Sequence, residues 1–477
     1  MSALLSYAAM ACQPQSLEAL LASREDRQAR QDALREKTGL PLLSMTLNLP
    51  GPCKRTPASA FFFDCQVQDL TRLLQGLGAR ILARDRVSRG TGDEIILAVQ
   101  GLEAEALKSL ALTLEEASPA SRLLDLDVLT AQGNPLGRAQ LGLPARSCLL
   151  CDQPAFVCSR SQAHPLQAVQ DKCRDLLMTF VKNRLARTLQ SMALEASSFE
   201  LMVAPKPGLV TPFDSGAHKD MDRFSFSRSQ AALASYYVRA FELGWAGLPM
   251  ADLALKLRQA GLLAQADMEA ATSGVNTHRG WIYLAGILLA VAGQLCASLF
   301  RGQEVTHPLA AMSGGAADLA AALEAVLDET PHFGLLAARM NKGGGLTGIR
   351  QEALAGLPNL FDLGLPILSA CRQGGMSDNQ AGQRALLALL AGAYDTTLVK
   401  RAGQDQARRI RAEISQALGE EGLVKGALSL PSKRLARLME KLSKSFDREG
   451  YSCGGAADLL AASRLVDSFQ TLLVMDL

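Results

Sequence analysis

The chain of 477 residues is 48% hydrophobic and 20% charged, and 49 basic against 47 acidic residues give a net charge of +2. A chain of this length is typical of two or three domains with sizeable cores. The near balance of charge excludes bulk attraction to nucleic acid or to an acidic surface, so any phosphate must bind in a local site.

The N-terminal residues have none of the features of a secretion signal. No basic stretch precedes the first apolar residues, and polar side chains soon interrupt them, which predicts a cytoplasmic protein without a signal peptide. Ten cysteines are scattered along the chain. This distribution fits a reducing compartment, with the cysteines as thiols or metal ligands.

The first third of the chain has the pattern of a mixed α/β domain. Ser16–Lys37 predicts an amphipathic, highly charged helix that Ser16 caps. Strand-like runs follow at Leu42–Leu49, Glu94–Val99 and Leu123–Thr130, with helical or turn-rich segments between them. We therefore expect both helices and strands in this region.

Two groups of charged residues in this region are relevant to phosphate chemistry. Arg24, Arg27 and Arg30 recur at every third position and so lie on one side of the predicted helix, where a solvated face is usual and a phosphate-binding role is the alternative. Asp125 and Asp127 share one face of a predicted strand, and burying two carboxylates without a cation is costly. That pattern favours a Mg²⁺ pair, and an edge strand with one wet face is the alternative.

A cluster of soft metal ligands follows the predicted strands. The spacing C-x2-C-x6-C-x5-H is formed by Cys148, Cys151, Cys158 and His164. Thiolates and an imidazole at such short spacings can close a tetrahedral structural Zn²⁺ site. The gap of six residues is shorter than the usual loop between ligand pairs, so thiols without metal remain the alternative.

We predict residues 1–175 and 176–477 as the two domains, with the boundary inside a helical stretch. Helix-period patterning dominates the second domain and no alternating strand interrupts it, which predicts an all-α fold. One of its predicted helices, Trp281–Phe300, is about as long as a membrane-spanning helix. Gln294 within it and the polar residues before it favour a central buried helix, with a membrane span as the alternative.

The segment Pro205–Asp222 is the most unusual stretch of the second domain. Its three prolines and two glycines exclude one regular helix. Asp214, His218, Asp220 and Asp222 can therefore converge on one point, as a metal or phosphate site requires. A solvated turn with helix-capping aspartates is the alternative.

Later segments of the second domain have a similar composition. They are GVNTHRG (274–280), KGGGLTGIRQEALAGLPNL (342–360) and CGGAADLLAASR (453–464). Glycine-rich turns that lead into helix N-termini are typical anion sites, so these segments suggest one shared site. Two of the five histidines, His218 and His278, lie in the polar motifs, which favours a functional role for them over a structural one.

Several of these strings resemble a known family. PKPGLV, GAHKDMD, GVNTHRG and GGGLTGIRQEALAGLPNL look like the signature segments of triphosphoribosyl-dephospho-CoA synthase, in the family's order. The resemblance implies that a ribose hydroxyl of 3′-dephospho-CoA attacks C1 of the ATP ribose and that adenine leaves. An oxocarbenium-like state and a bound triphosphate call for carboxylates, Mg²⁺ and cationic or N–H donors.

The first domain resembles a second family. SREDRQARQ, NLPGPCK, LLDLDVLT and the CLLC…VCSR…H segment are similar to apo-citrate lyase phosphoribosyl-dephospho-CoA transferase. The two families are consecutive enzymes of one prosthetic-group pathway and occur as a natural fusion. The resemblance implies that a serine of the citrate lyase acyl-carrier (gamma) subunit attacks the phosphate next to ribose and releases diphosphate.

The chemical requirements of these two reactions assign provisional roles to the candidate residues. Mg²⁺ or oxocarbenium support is expected from Asp220, Asp222, Asp395 and Asp458. Phosphate binding in the second domain is expected from Lys206, His278, Arg279, Lys342, Gly343, Gly344, Gly345 and Arg350. His218, or else Glu352, is the expected general base. In the first domain, Mg²⁺ is assigned to the catalytic pair Asp125 and Asp127, and substrate phosphates to Arg24, Arg27 and Lys54.

Two other functions are compatible with the same residues. A Mg²⁺-dependent hydrolase of N-ribosyl bonds has the same carboxylate and phosphate requirements but consumes water instead of dephospho-CoA. The first domain would then be a non-catalytic, zinc-containing module that docks the carrier subunit. A related malonate decarboxylase pathway is a further alternative for the second domain, which the first domain's resemblance disfavours.

Overall fold

The computed structural model describes residues 3–328 and 348–474. The chain forms two compact units. The first contains the residues up to Arg184, Leu299–Glu304 and Val474, and the second contains Leu185–Ser298 and the described residues from Val305 to Leu473. The division between them falls inside one long helix, Leu166–Met202.

The first unit has a five-stranded antiparallel sheet with helices, as the sequence predicts. The strand order is β2-β3-β1-β4-β5. The strands are β1 (Leu42–Leu47), β2 (Arg80–Arg89), β3 (Gly92–Gln100), β4 (Leu124–Leu129) and β5 (Pro135–Leu136). The helices are α1 (Leu4–Ala8), α2 (Leu17–Thr38), α3 (Pro57–Gly76), α4 (Ala104–Glu116), α5 (Ala155–Ser161) and the start of α6 (Leu166–Met202), with 3₁₀ turns at Ala120–Leu123 and Ala139–Leu141.

Local signals define the ends of α2. The Ser16 side chain accepts a hydrogen bond from the Ala19 N–H at 3.1 Å, so Ser16 caps the helix as predicted. Gly39 follows the last turn with φ +65°, a conformation that glycine adopts without strain. The sequence therefore determines both boundaries of this helix.

The side of the sheet that faces α2 changes from apolar to acidic along the strands. Leu34 of α2 packs on a cluster that includes Leu42, Ile96 and Leu129. Register then places Ser44 of β1 beside both Ile96 and Asp127. Because side chains alternate along a strand, Asp127 lies on the same face as this apolar cluster.

The structure pairs Cys12 and Cys53 as a disulfide, with Cα atoms 5.9 Å apart. This pairing differs from the expectation, drawn from the sequence, that the cysteines are thiols or metal ligands. The pair links the segment before α2 to the turn before α3, and the other eight cysteines are free. Forty-one positions separate the two cysteines, so sequence spacing alone gives no indication of the contact.

The described part of the second unit is entirely helical, as predicted. Its helices are the end of α6, α7 (Arg223–Trp245), α8 (Met250–Ala271), α9 (Arg279–Phe300), α10 (Pro308–Asp328), α11 (Ile349–Leu354), α12 (Leu365–Gln373), α13 (Asp378–Gly392), α14 (Thr396–Ala402), α15 (Gln404–Leu418), α16 (Leu423–Ser429), α17 (Ser432–Glu449) and α18 (Gly454–Val474). A π-helical turn at Leu360–Gly364 precedes α12.

The long apolar helix α9 is a buried helix, as the sequence favoured. Its most apolar window is 83% buried, and Trp281 near its start is 1% exposed. By length and composition alone α9 and the stretch Pro308–Val326 of α10 pass the test for a membrane span. Mostly buried core helices of soluble proteins pass the same test, so this result is weak evidence for a membrane.

Candidate functional site

Buried ionisable side chains come together in the second unit. Lys206, in the PKPG turn, lies with its Nζ 2.5 Å from Oε1 of Glu200 in the last turn of α6. Their exposed fractions are 2% and 6%. A buried pair of this kind compensates both charges, so Lys206 is not a free cation. Glu200 was not among the residues predicted from sequence, where its only signal is an acidic residue in an apolar helix end six positions before Lys206.

Asp458 of α18 lies close to this pair. Burial raises its pKa well above the usual range, and the nearby carboxylates of Glu200 and Asp395 raise it further. A hydrogen bond from the Trp281 N–H opposes the shift only in part. Asp458 is partly buried, and its raised pKa means that the surroundings favour the protonated carboxyl. A bound cation or a cationic transition state nearby would favour the ionised form instead.

Gly280 in the first turn of α9 allows Asp458 to approach that helix. A Cβ at Gly280 would lie 1.9 Å from Oδ2 of Asp458 and 2.8 Å from its Cγ. Real Cβ contacts essentially never fall below 3.0 Å. The glycine that ends the GVNTHRG motif is therefore required by a carboxylate in a different motif.

His278 is buried beside Lys206 and is 5% exposed. Its Nδ1 lies 2.6 Å from Oγ of Ser229 and 3.1 Å from Oγ1 of Thr277, and its Nε2 has no hydrogen-bond partner among the described residues. Burial and the Lys206 charge lower its pKa to about 3. His278 is therefore neutral, and it can offer a hydrogen bond through Nε2 but no positive charge to a phosphate.

Asp395 supports the same region through backbone contacts. It caps α14, accepting hydrogen bonds from the N–H groups of Thr397 and Leu398 at 2.8 and 3.0 Å. Its other oxygen accepts from the Ala456 N–H in α18 at 2.8 Å. Burial raises the pKa of Asp395, while these backbone hydrogen bonds lower it. Asp395 thus joins the start of α14 to the helix that carries Asp458.

His218 occupies the GAHKDMD turn. Its Nε2 lies 3.0 Å from Oγ of Ser452 and its Nδ1 lies 3.4 Å from Nη2 of Arg401. Burial and the Arg401 charge lower its pKa, and Asp220, with an oxygen 4.0 Å from Nδ1, opposes this shift. His218 is therefore neutral near pH 7, but both ring nitrogens already have partners.

The two other aspartates of this turn are exposed. Asp222 accepts hydrogen bonds from the N–H groups of Phe224 and Ser225 at the start of α7, at 3.1 and 2.8 Å, in a capping box. This is the helix-capping role that the sequence analysis kept as the alternative. Among the described residues, no hydrogen bond joins Asp220 or Asp222 to Asp458.

The predicted phosphate-binding arginines of this unit have acidic partners. Arg279 lies 3.1 Å from Glu269 on the surface. Nε of Arg350 donates to Glu324 at 2.7 Å. A phosphate would therefore have to compete with a carboxylate for each guanidinium group.

Glu352 makes two hydrogen bonds in its own turn. Its oxygens accept from the backbone N–H and the Nδ2 of Asn359, each at 2.7 Å. These contacts give it a structural role beside its predicted one as a general base. Four predicted phosphate-binding residues, Lys342, Gly343, Gly344 and Gly345, lie outside the described residues.

In the first unit, Asp125 and Asp127 lie together on β4. Asp125 is half-buried and Asp127 is exposed, so this face of the strand is wet, as in the alternative considered from the sequence. Desolvation by the surrounding protein nevertheless raises the pKa of Asp127, and the neighbouring Asp125 raises it further. Lys108, Arg27 and Arg146 oppose this shift. A pair of carboxylates that still repel each other in this setting is suited to a divalent cation completed by water and substrate phosphates.

The predicted basic groups of the first unit differ in their partners. Arg27 lies 3.0 Å from buried Glu94, which also pairs with Arg30. Lys54 has its pKa lowered by partial burial and then by the charge of exposed Arg24. Arg24 and Lys54 therefore place two positive charges near each other, as a phosphate site requires. The charge of Arg27 is instead neutralised by Glu94.

A cavity of about 1280 Å³ lies in the first unit. Its lining includes three arginines, Arg122, Arg138 and Arg146. The volume is ample for a nucleotide-sized ligand. Asp125 and Asp127 are not among its lining residues, so the cavity is separate from the predicted Mg²⁺ pair.

The four predicted zinc ligands come together beside this cavity. One ligand atom from each of them lies within 4.8 Å of all the others: Cys148, Cys151, Cys158 and His164. In residues 3–328 and 348–474, this is the one group of three or more Cys, His, Asp or Glu ligand atoms with such spacing. Three of the four also line the cavity: Cys148, Cys158 and His164.

Comparison with known families gives one match to each unit. The family "Apo-citrate lyase phosphoribosyl-dephospho-CoA transferase" (CitX) matches residues 15–180. The family "ATP:dephospho-CoA triphosphoribosyl transferase" (CitG) matches residues 186–476. The matches agree with the two resemblances drawn from the sequence.

Curated relatives include chains in which both parts are fused. The chain is 31% identical to "Protein CitXG" of Haemophilus influenzae, over 95% of this chain and 96% of the relative. It is 30% identical to "Protein CitXG" of Leuconostoc mesenteroides subsp. cremoris, over 88% and 89%. A "Probable 2-(5''-triphosphoribosyl)-3'-dephosphocoenzyme-A synthase" of Vibrio cholerae is 33% identical over 59% of this chain and 88% of the relative.

Proposed function

This chain belongs to the fused CitXG family of transferases, and we propose that its second unit makes the precursor of the citrate lyase prosthetic group and its first unit attaches it. The substrates would be ATP, 3′-dephospho-CoA and the citrate lyase acyl-carrier subunit. The observation that carries the proposal is the buried ionisable centre of the second unit, which joins the PKPG, GVNTHRG and CGGAADLL motifs.

In the first step, a ribose hydroxyl of dephospho-CoA bonds to C1 of the ATP ribose as the bond from C1 to adenine breaks. The hydroxyl proton ends on adenine, so no other reactant is consumed. Positive charge develops at C1 in the transition state. We assign Asp458 and Glu200 to stabilise that charge, because the two carboxyl groups lie near each other and a developing positive charge would favour the ionised form of Asp458.

His278 and Lys206 would complete this site. The unpartnered Nε2 of His278 is suited to hydrogen-bond and orient the attacking hydroxyl, since the imidazole is neutral. Lys206 would hold Glu200 in place through their buried ion pair. His218 is a weaker candidate for the proton-accepting base than the sequence suggested, because Ser452 and Arg401 occupy its ring nitrogens.

Mg²⁺ fits the donor sets of both units. Asp458 would hold it in the second unit together with Oε2 of Glu200, the oxygen that does not pair with Lys206, because the two carboxylates repel each other. Asp222 and Asp395 are less suited, because they accept backbone hydrogen bonds. Asp125 and Asp127 would hold it in the first unit. In the first unit, Mg²⁺ would neutralise the charge of the substrate phosphates.

In the second step, a serine hydroxyl of the carrier subunit would bond to the phosphorus next to ribose, and the bond to the departing diphosphate would break. Arg24 and Lys54 would attract that diphosphate, since their positive charges lie near each other. Because the proposed substrates are cytoplasmic metabolites and α9 is mostly buried, we infer a cytoplasmic protein.

Mass spectrometry of reaction mixtures tests the proposal. The purified full chain is incubated with ATP, Mg²⁺ and 3′-dephospho-CoA, with and without the carrier subunit. We expect free adenine and triphosphoribosyl-dephospho-CoA in both mixtures, and a modified carrier with diphosphate only when the carrier is present. Asp458→Asn should remove adenine release and, unless triphosphoribosyl-dephospho-CoA is added, carrier modification with it. The double variant Asp125→Asn/Asp127→Asn should remove carrier modification alone.

Two results would contradict the proposal. Adenine release at the same rate without dephospho-CoA would indicate the N-ribosyl hydrolase instead. A carrier subunit that binds the chain but gains no mass would indicate that the first unit only docks it.

A further inference from the structure

We propose that Cys148, Cys151, Cys158 and His164 bind one structural Zn²⁺ ion, which fixes one wall of the arginine-lined cavity. The proposed prosthetic-group reactions do not use these four residues. The inference therefore stands on its own geometry and does not depend on the proposed function.

The ligand atoms have the spacing of a zinc site. Sγ of Cys151 lies 3.5 Å from Sγ of Cys158 and 3.3 Å from Nε2 of His164. A tetrahedron with Zn–S bonds of about 2.3 Å and Zn–N bonds of about 2.0 Å places its ligand atoms about 3.5–3.8 Å apart. The observed distances are close to these values before any ion draws the ligands together.

The backbone around the first two cysteines is already formed. The Cys148 N–H donates to the Gln153 carbonyl at 2.7 Å, and Ser147 and Pro154 form a β-bridge. The Leu150 N–H points to Sγ of Cys148 at 3.5 Å. Backbone N–H groups directed at a sulfur stabilise it as the thiolate, the form in which cysteine binds a metal.

The second pair of ligands comes from α5 and the residues just after it. Cys158 lies in α5, which ends at Gln162 with φ +52°. The Ala163 N–H then donates to the Cys158 carbonyl at 3.0 Å. This turn brings His164 back over the helix. It explains how Cys158 and His164, with only five residues between them, can reach the same point.

A disulfide between Cys151 and Cys158 is a poorer account of this cluster. Sulfur atoms in a disulfide are about 2.05 Å apart, well below the 3.5 Å that separates these two. A disulfide would also leave the convergence of Cys148 and His164 without a reason. Four protein ligands leave no open coordination position, so the ion is structural.

The metal site would influence the cavity because an arginine of the cavity wall donates hydrogen bonds to backbone carbonyl groups of the zinc-binding turn. Nη2 of Arg122 donates to the carbonyls of Ser147 and Cys148, at 2.7 and 3.0 Å. Arg146, two residues before Cys148, donates to the Leu124 carbonyl at 2.8 Å. Both arginines line the cavity, where Arg146 also pairs with Glu115, so an ordered zinc turn would hold both side chains in position.

Elemental analysis of the full chain tests the inference directly. Protein purified with reductant and without chelator should contain about one zinc per chain. Cys151→Ser and His164→Ala should each lower the zinc content at least tenfold. Cys173→Ala, which changes a buried free cysteine outside the cluster, should retain the full content.

A second measurement covers the case in which the ligand variants do not fold. Wild-type protein depleted of zinc and supplied with Co²⁺ should show the visible bands of tetrahedral cobalt and thiolate-to-cobalt charge transfer, and added Zn²⁺ should remove them. Zinc-free wild-type protein that gives no such bands would overturn the inference. A stoichiometric Cys151–Cys158 disulfide in protein purified with reductant would overturn it as well.

Discussion

Replacing Gly280 by alanine should inactivate the second unit by displacing one carboxylate. The new Cβ would lie 1.9 Å from Oδ2 of Asp458, although at least 3.0 Å is needed. The carboxylate, or the first turn of α9, must therefore shift by about 1.1 Å or more. A misplacement of about 1 Å can lower a rate about 10²-fold, so we expect a loss of that size in adenine release.

The stability of this variant should change much less than its activity. Alanine is favoured over glycine in a helix by about 1 kcal/mol, whereas overpacking costs about 1–3 kcal/mol. The two effects partly cancel, so we expect a net loss of at most about 2 kcal/mol in the free energy of unfolding. Thermal unfolding and chromatographic assay of adenine, on the same preparations, separate the two effects.

Gly314→Ala is the matched control. Gly314 lies in α10, and a Cβ there would meet no atom within 4 Å. This variant should keep full activity and its stability should stay the same or rise. Full activity of Gly280→Ala would refute the argument, as would an active Asp458→Ala, because then the position of this carboxylate would not matter.

Three further predictions concern the charged groups of the two units. Asp125→Asn/Asp127→Asn should abolish modification of the carrier subunit while adenine release and melting temperature stay unchanged; loss of both activities would point to misfolding. Lys206→Met should cost about 3–5 kcal/mol in the free energy of unfolding, measured by denaturant titration, because it leaves Glu200 charged and buried. Adding Glu200→Gln should recover this stability in the same titrations, but rate assays should show no recovery of activity. Because folding raises the pKa of Asp458, the folded state binds its proton more tightly, and this group stabilises the fold less as pH rises above the usual Asp value of 3.8 through the raised one. Asp458→Asn should therefore gain stability relative to wild type as pH rises in that window, and a constant difference would contradict the assignment.

The division into a mixed first unit and a helical second unit could be predicted from local pattern alone. Hydrophobic period distinguishes strands from helices because side chains alternate along a strand and recur every 3.6 residues along a helix. Capping is local as well, so Ser16 was recognisable as the cap of α2. The zinc-type cluster was visible for the same reason, because all its ligands lie within seventeen consecutive residues.

Roles that depend on distant partners could not be predicted in this way. Asp395 has the sequence setting of a metal ligand, but the structure gives it backbone N–H partners both at the start of α14 and in α18. The capping role of Asp222 is local and could be named from the sequence, whereas the contact of Asp395 with Ala456 depends on where α18 packs. Hydrogen bonds between segments sixty residues apart leave no spacing pattern to detect.

The sequence by itself determined which motifs belong to this protein, the two fold classes and the residue types available for phosphate chemistry. The tertiary structure alone decided that Glu200 compensates Lys206, that Gly280 makes room for Asp458 and that His278 is neutral. These facts depend on burial and on charges brought together from distant segments. Burial and charge proximity set pKa values and ion pairing, and both arise only when the chain is folded.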